Sequence, residues 1–183
     1  MKRLEVSVGT AAIAGLVVLG LVAGCSADEP TATPTPAPEA EQTVEPTASP
    51  DEAEVAAILE VHDAYRAAVV SSENSGEPDP SGFYGIASEG VIEERVERVV
   101  EYARMGMHRS GEPELGEPVV DLDGDTASVE VCINEKDWAA VSQDGSTTFP
   151  SDEWKSIGIE LSVIDGSWIV TDSVPTADTT ITC

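Results

Sequence analysis

Basic residues are scarce in this chain: 9 Lys and Arg stand against 35 Asp and Glu, a formal net charge of −26 over 183 residues. Such a surface repels nucleic acid and anionic lipid headgroups, which argues against direct binding of either. Cationic partners and a high-salt habitat are both compatible with it. Histidine is scarcer still, with only His62 and His108 to offer imidazole, so no zinc site is expected once the thiols are otherwise committed. Cysteine is limited to Cys25, Cys132 and Cys183, an odd count that asks for an explanation in an exported protein. From Ser26 to Ser49 there is no Lys, no Arg and no aromatic residue, while Pro30, Pro34, Pro36, Pro38 and Pro46 recur among Thr, Ala and Glu. That segment cannot bury enough apolar surface to offset the entropy of ordering it, and it reads as a semi-extended spacer.

Charge is also missing between Val6 and Gly24, an apolar run preceded by Lys2 and Arg3. This is the charged start and apolar middle of an export signal, although a helix of that length could also span a bilayer as an uncleaved anchor. Cys25 separates the two readings. The stretch Val22-Ala23-Gly24-Cys25 resembles the lipobox of bacterial lipoproteins. The resemblance implies a signal peptide over residues 1–24, cleavage before Cys25, a diacylglyceryl thioether on its sulfur and acyl chains such as palmitate. Two acyl chains hold a soluble domain stably at a membrane where one does not. The expected partner is therefore the membrane, reached through the lipid, with the chain facing outside the cytoplasm. Loss of Lys2, Arg3 and Glu5 with the signal leaves 7 basic and 34 acidic residues, a net charge of −27.

Lipidation of Cys25 accounts for the odd cysteine and leaves Cys132 and Cys183 as a pair. An oxidising compartment favours a disulfide between them. The alternative is a buried free Cys132 with a frayed terminal thiol at Cys183.

The domain organisation that follows is a signal peptide (1–24), a lipidated Cys25 with a disordered linker (25–49), and one folded domain (50–183), enough residues for one core. Ser49-Pro50-Asp51-Glu52 carries a helix-start signature: a cap, Pro at the first helical position and Glu three residues after the cap. Val55, Ile58, Leu59, His62, Tyr65, Arg66 and Val69 then fall on one helical face. The stretch "SSENSGEPDPSG" from Ser71 reads as a loop. A second helix is expected over about Ser88 to Met105, with Glu94 four residues before Arg98 and its charges forming a solvated face. After Gly116 the period changes to two, and the Asp-Gly pairs at 123, 144 and 165 are candidate tight turns of a meander. In "TASVEVCIN", Ala127, Val129, Val131 and Ile133 face one way, with Ser128, Glu130 and Cys132 on the other.

Helices followed by strands predict an α+β fold with N-terminal helices packed on a curved antiparallel sheet. The order resembles the nuclear transport factor two-like cone. More closely, Gly116, Pro118, Asp123 to Asp125, Cys132, Asn134 and Trp138, with "DGSWIVTDS" and a final Cys, resemble uncharacterised lipoproteins of high-GC Gram-positive bacteria. These motifs are structural, and the resemblance carries over no functional residues. "DLDGDT" has the alternating carboxylates of an EF-hand loop in Asp121, Asp123 and Asp125, yet Thr126 stands where Gly is needed and Cys132 where Glu is needed. A hairpin turn is the better account, and neither a metal nor any other cofactor is expected.

The expected function is a membrane-anchored cell-envelope lipoprotein acting as a non-catalytic binding or accessory module for a small molecule or an envelope protein. The alternative is an enzyme on the same cone, an isomerase, dehydratase or polyketide-cyclase-like protein acting on a small apolar molecule. The candidate pocket residues are His62, Tyr65 and Arg66. Asp63 is not expected to orient His62, since consecutive helical residues point about 100° apart.

Overall fold

The computed structural model describes residues 50–183. The expected signal peptide, the lipidated Cys25, the linker and the Ser49 cap lie outside the described residues. Among those described, no helix is long and apolar enough to cross a membrane.

Helix α1 spans Pro50–Ser75, and a short 3-10 turn at Ser81–Phe83 leads to α2 at Glu89–Arg104. The buried stripe of α1 runs Ile58, His62, Tyr65, Val69 and Glu73, at steps of four and three. The helix therefore continues through Ser71 to Ser75, where composition suggested a loop. Tertiary contacts override that composition: Glu73 is drawn into ion pairs with Arg98 and Arg109, and the Asn74 amide donates to Gly111 O at 2.8 Å while accepting from Trp138 Nε1 at 2.9 Å. Gly76, with φ of 66°, takes the left-handed conformation that ends the helix. On α2, Val91 and Val99 are buried and Arg95 lies between them on the same stripe. Its charges are thus not all solvated.

Eight strands follow, namely β1 (Met107–Gly111), β2 (Glu114–Leu115), β3 (Val119–Asp123), β4 (Thr126–Asn134), β5 (Trp138–Ser142), β6 (Thr147–Thr148), β7 (Trp154–Ile164) and β8 (Ser167–Val174). All strand pairings are antiparallel. The three Asp-Gly pairs do sit at turns, joining β3 to β4, β5 to β6 and β7 to β8. At the last of them Asp165 and Gly166 take φ of 52° and 81°, both positive as a type I′ turn requires.

The strands do not form one meander. The larger sheet has β4 at its centre, with β3 and β2 along one edge and β7 then β8 along the other; β5 and β6 leave it to pair with β1 in a second, three-stranded sheet. The reason lies in Trp138, which begins β5 and is buried against α1 and Arg109 rather than beside β4. The antiparallel sheet is strongly curled, and the two helices pack on it to give the α+β, cone-like architecture. Its core joins Ile58, Tyr65 and Phe83 from the helical part to Val129, Leu161 and Val170 from the sheet. Each such side chain contributes about 1.5–3 kcal/mol on full burial.

The second face of β4 is not simply exposed. Glu130 is buried because the C-terminal segment lies across it: Thr180 donates through its N–H and hydroxyl, and Ile181 through its N–H, to the carboxylate. Thr176 bonds Ser156 O, the Thr179 and Ser156 hydroxyls meet, and a disulfide joins Cys132 to Cys183. This strap covers the face that alternation alone assigned to solvent.

Candidate functional site

A cleft of about 400 Å³ opens between the helices and one end of the larger sheet. Helix α1 supplies Arg66, Val69 and Glu73 at helical spacing, α2 supplies Arg95 and Arg98 one turn apart, and β7 supplies Lys155 with Ile157 and Ile159. Glu135 and Trp138 close it where the chain turns from β4 into β5.

The polar groups are mostly engaged with one another. Arg95 donates from Nε to Tyr65 Oη at 2.8 Å and from Nη2 to Ser173 Oγ at 2.7 Å. Glu73, whose side chain is 4% exposed, places Oε1 3.2 Å from Arg98 Nε and Oε2 3.6 Å from Arg109 Nε. Arg109 sits behind the cleft, donating to Trp138 O at 2.6 Å and lying over the Trp138 ring at 4.3 Å. Its second carboxylate neighbour is Glu135, 3.7 Å away, whose other oxygen accepts from Lys155 Nζ at 2.7 Å. The two Arg109 contacts with carboxylates are ion pairs, too long to be good hydrogen bonds. Burial pushes the Glu73 carboxyl above the ordinary glutamate value, against the pull of Arg98 and Arg109.

The three residues singled out on α1 have different fates. Arg66 lines the cleft. Tyr65 is wholly buried beneath it, edge-on to Phe83, and its hydroxyl supports Arg95. His62 lies outside the cleft and binds Asp63, Nδ1 to Oδ1 at 2.9 Å. The expectation that Asp63 could not reach is corrected: the two Cβ atoms diverge, but the Asp63 side chain, 79% exposed, folds back along the helix surface to the ring. Burial lowers the His62 pKa from the ordinary 6.5, Asp63 raises it in part, and Arg66 lowers it further. The unfolded chain then takes up a proton first, so stability falls as pH drops below about 6.5. His62→Gln is expected to lower stability by about 1–3 kcal/mol at neutral pH and to flatten that slope, as urea midpoints measured across the range would show. An unchanged slope would place the titration elsewhere.

Pattern reading missed Glu73, Arg95, Arg98, Arg109, Glu135 and Lys155 as members of one constellation. Among the described residues, no group of three or more His, Cys, Asp or Glu side chains converges to hold a metal ion. Asp123 and Thr126 instead pair across the β3–β4 turn.

No family model matches the chain, and no curated protein matches it either. Solved structures similar to it include a protein of unknown function from Mycobacterium tuberculosis, at 15% identity and a TM-score of 0.46 over 66% of this chain and 69% of that one. A protein from Kribbella flavida gives 12% identity and 0.45 over 68% and 90%. A nuclear transport factor two-like protein with a cystatin-like fold from Novosphingobium aromaticivorans gives 13% and 0.37 over 66% and 84%. The fold class rests on the element order, strand pairing and sheet curvature described above, not on these overlaps.

Proposed function

We propose that this chain is exported, carries a lipid on Cys25 that anchors it in the cell membrane, and holds residues 50–183 outside the cytoplasm as a non-catalytic binding or accessory module. The cleft is its ligand site. The observation that carries the binding reading is the state of the two inner carboxylates. Both oxygens of Glu73 face guanidinium groups, and both oxygens of Glu135 face cations. They serve as counter-ions and are not free to take a proton from a substrate, which a general base must do.

Mass spectrometry of the natively purified protein is the direct test, read for a small molecule bound to the domain and for a lipid on Cys25. Cys25→Ser should release the protein from the membrane fraction; retention of the variant with its apolar run attached would favour the uncleaved anchor. The raised Glu73 pKa favours one second reading, acid–base chemistry on a small apolar molecule. Turnover lost in Glu73→Gln with the fold intact would replace the binding reading by that one.

A further inference from the structure

Positive charge is the rarest resource of this chain, and it is gathered in one place. Seven basic residues follow Cys25, of which Arg66, Arg95, Arg98 and Lys155 line the cleft and Arg109 backs it. Against the four lining cations stand three lining carboxylates, Glu73, Glu94 and Glu135. The cleft lining therefore holds one positive charge in excess, inside a chain whose net charge is −26.

The excess has a definite location. Arg95, Arg98, Arg109 and Lys155 each have a hydrogen-bond or ion-pair partner. Arg66 has neither among the described residues, and its Nε is buried without a hydrogen-bond acceptor. A buried donor left unmade is costly, and more so when it belongs to a charged group. A guanidinium presents a planar fork that matches carboxylate and phosphate oxygens. Beside its charged groups the cleft is lined by the apolar side chains of Val69, Ile133, Ile157, Ile159 and Val174. A bare inorganic ion would leave that wall wet, and a cationic ligand would meet the excess positive charge.

We infer that the cleft takes a small organic anion, a carboxylate or phosphate monoester on an apolar body, with Arg66 holding the charged end. The inference rests on the binding-module reading and names the ligand class for the same site. A volume of about 400 Å³ lies within the range of small-molecule pockets. The apolar body lies on the aliphatic wall beside Trp138, whose fluorescence reports its arrival.

The test is a titration of the full-length Cys25→Ser protein with phenylbutyrate, phenyl phosphate and the neutral phenylbutanol, read by calorimetry and tryptophan fluorescence. At least one anion should bind saturably and the alcohol about tenfold more weakly or worse. Arg66→Gln should weaken the anion about tenfold and leave the alcohol unchanged. Arg104→Gln, an exposed change in the last turn of α2, should alter neither. Arg66→Lys keeps the charge without the fork; it should bind with intermediate affinity and serves in place of Arg66→Gln if that variant fails to fold. If the alcohol binds as tightly as the anions, or Arg66→Gln behaves like Arg104→Gln, the anion inference is overturned while a small-molecule site remains. If none of the three binds, the inference is again overturned, and the native mass spectrum judges the module reading separately.

Discussion

Replacing Cys132 and Cys183 together by serine should lower the stability of the folded domain by about 4 kcal/mol, the chain-entropy expectation for a loop with a sequence separation of 51 residues. The loss reaches past the bond itself. Without the bridge, the strap from Thr176 to Cys183 is held to the sheet mainly by hydrogen bonds to Glu130 and Ser156. Burial pushes the Glu130 carboxyl up, but the N–H and hydroxyl of Thr180 and the N–H of Ile181 outweigh it and hold the pKa below the ordinary glutamate value. A depressed carboxylate stabilises the fold above its unfolded pKa and loses that contribution as pH falls through the folded one. The wild-type protein should therefore show an acid loss of stability that is smaller in the double-serine variant. Urea unfolding followed by tryptophan fluorescence measures both effects; equal midpoints for the two proteins at neutral pH would mean that the strap is not held in this way.

Arg109→Met is expected to cost about 3–5 kcal/mol, because it leaves the buried Glu73 carboxylate without a buried partner. The Arg109 side chain is 7% exposed, and Glu73 at 4% would keep only Arg98, itself 46% exposed. Methionine preserves most of the stem over Trp138, so the deficit reports the guanidinium rather than a cavity. The sign of the pH dependence follows from Glu73. Its folded pKa already lies above the ordinary value of 4.5, and removing Arg109 raises it further. A raised carboxyl is no burden below its unfolded pKa, and stability is lost as pH rises through the folded one. The gap between wild type and Arg109→Met should therefore be widest at neutral pH and should close on acidification. A gap independent of pH would mean that Glu73 does not depend on Arg109 for its charge.

The elements of this fold were more legible than their assembly. Helix α2 begins after Ser88 and ends at Arg104, where periodicity placed it, and the Asp-Gly pairs mark real turns because only a few residues tolerate positive φ. Ala127, Val129, Val131 and Ile133 are buried as their alternation implied. The C-terminal turn of α1 was illegible because Ser71 to Ser75 read as loop by composition, whereas Glu73 and Asn74 are held helical by partners far along the chain. The departure of β5 from the larger sheet depends in the same way on where Trp138 finds its acceptor. Arg98 shows how local reasoning misled: its spacing from Glu94 suggested a pair along the helix, yet its Nε faces Glu73 and Glu94 lies nearest Arg95, 3.8 Å away. Scarcity was the unused signal. In a chain with so few bases each one marks a place where negative charge must be met, and following Arg66, Arg95, Arg98, Arg109 and Lys155 as a set leads to the cleft.

The disulfide also decides how the domain bears load. A pull between α1 and Cys183 passes from Cys183 through the sulfur bridge to Cys132, so β5 through β8 lie inside a closed covalent loop and carry no tension along their own backbone. The force falls on β4, which is clamped by β3 on one edge and β7 on the other and must shear both ladders before it yields. Reduction of the bridge would move the load onto the hydrogen bonds that hold the strap and onto β8, at the edge of the larger sheet. A domain held at a surface by one end and drawn by a partner at the other would thus resist as a clamped sheet when oxidised and peel from its margin when reduced.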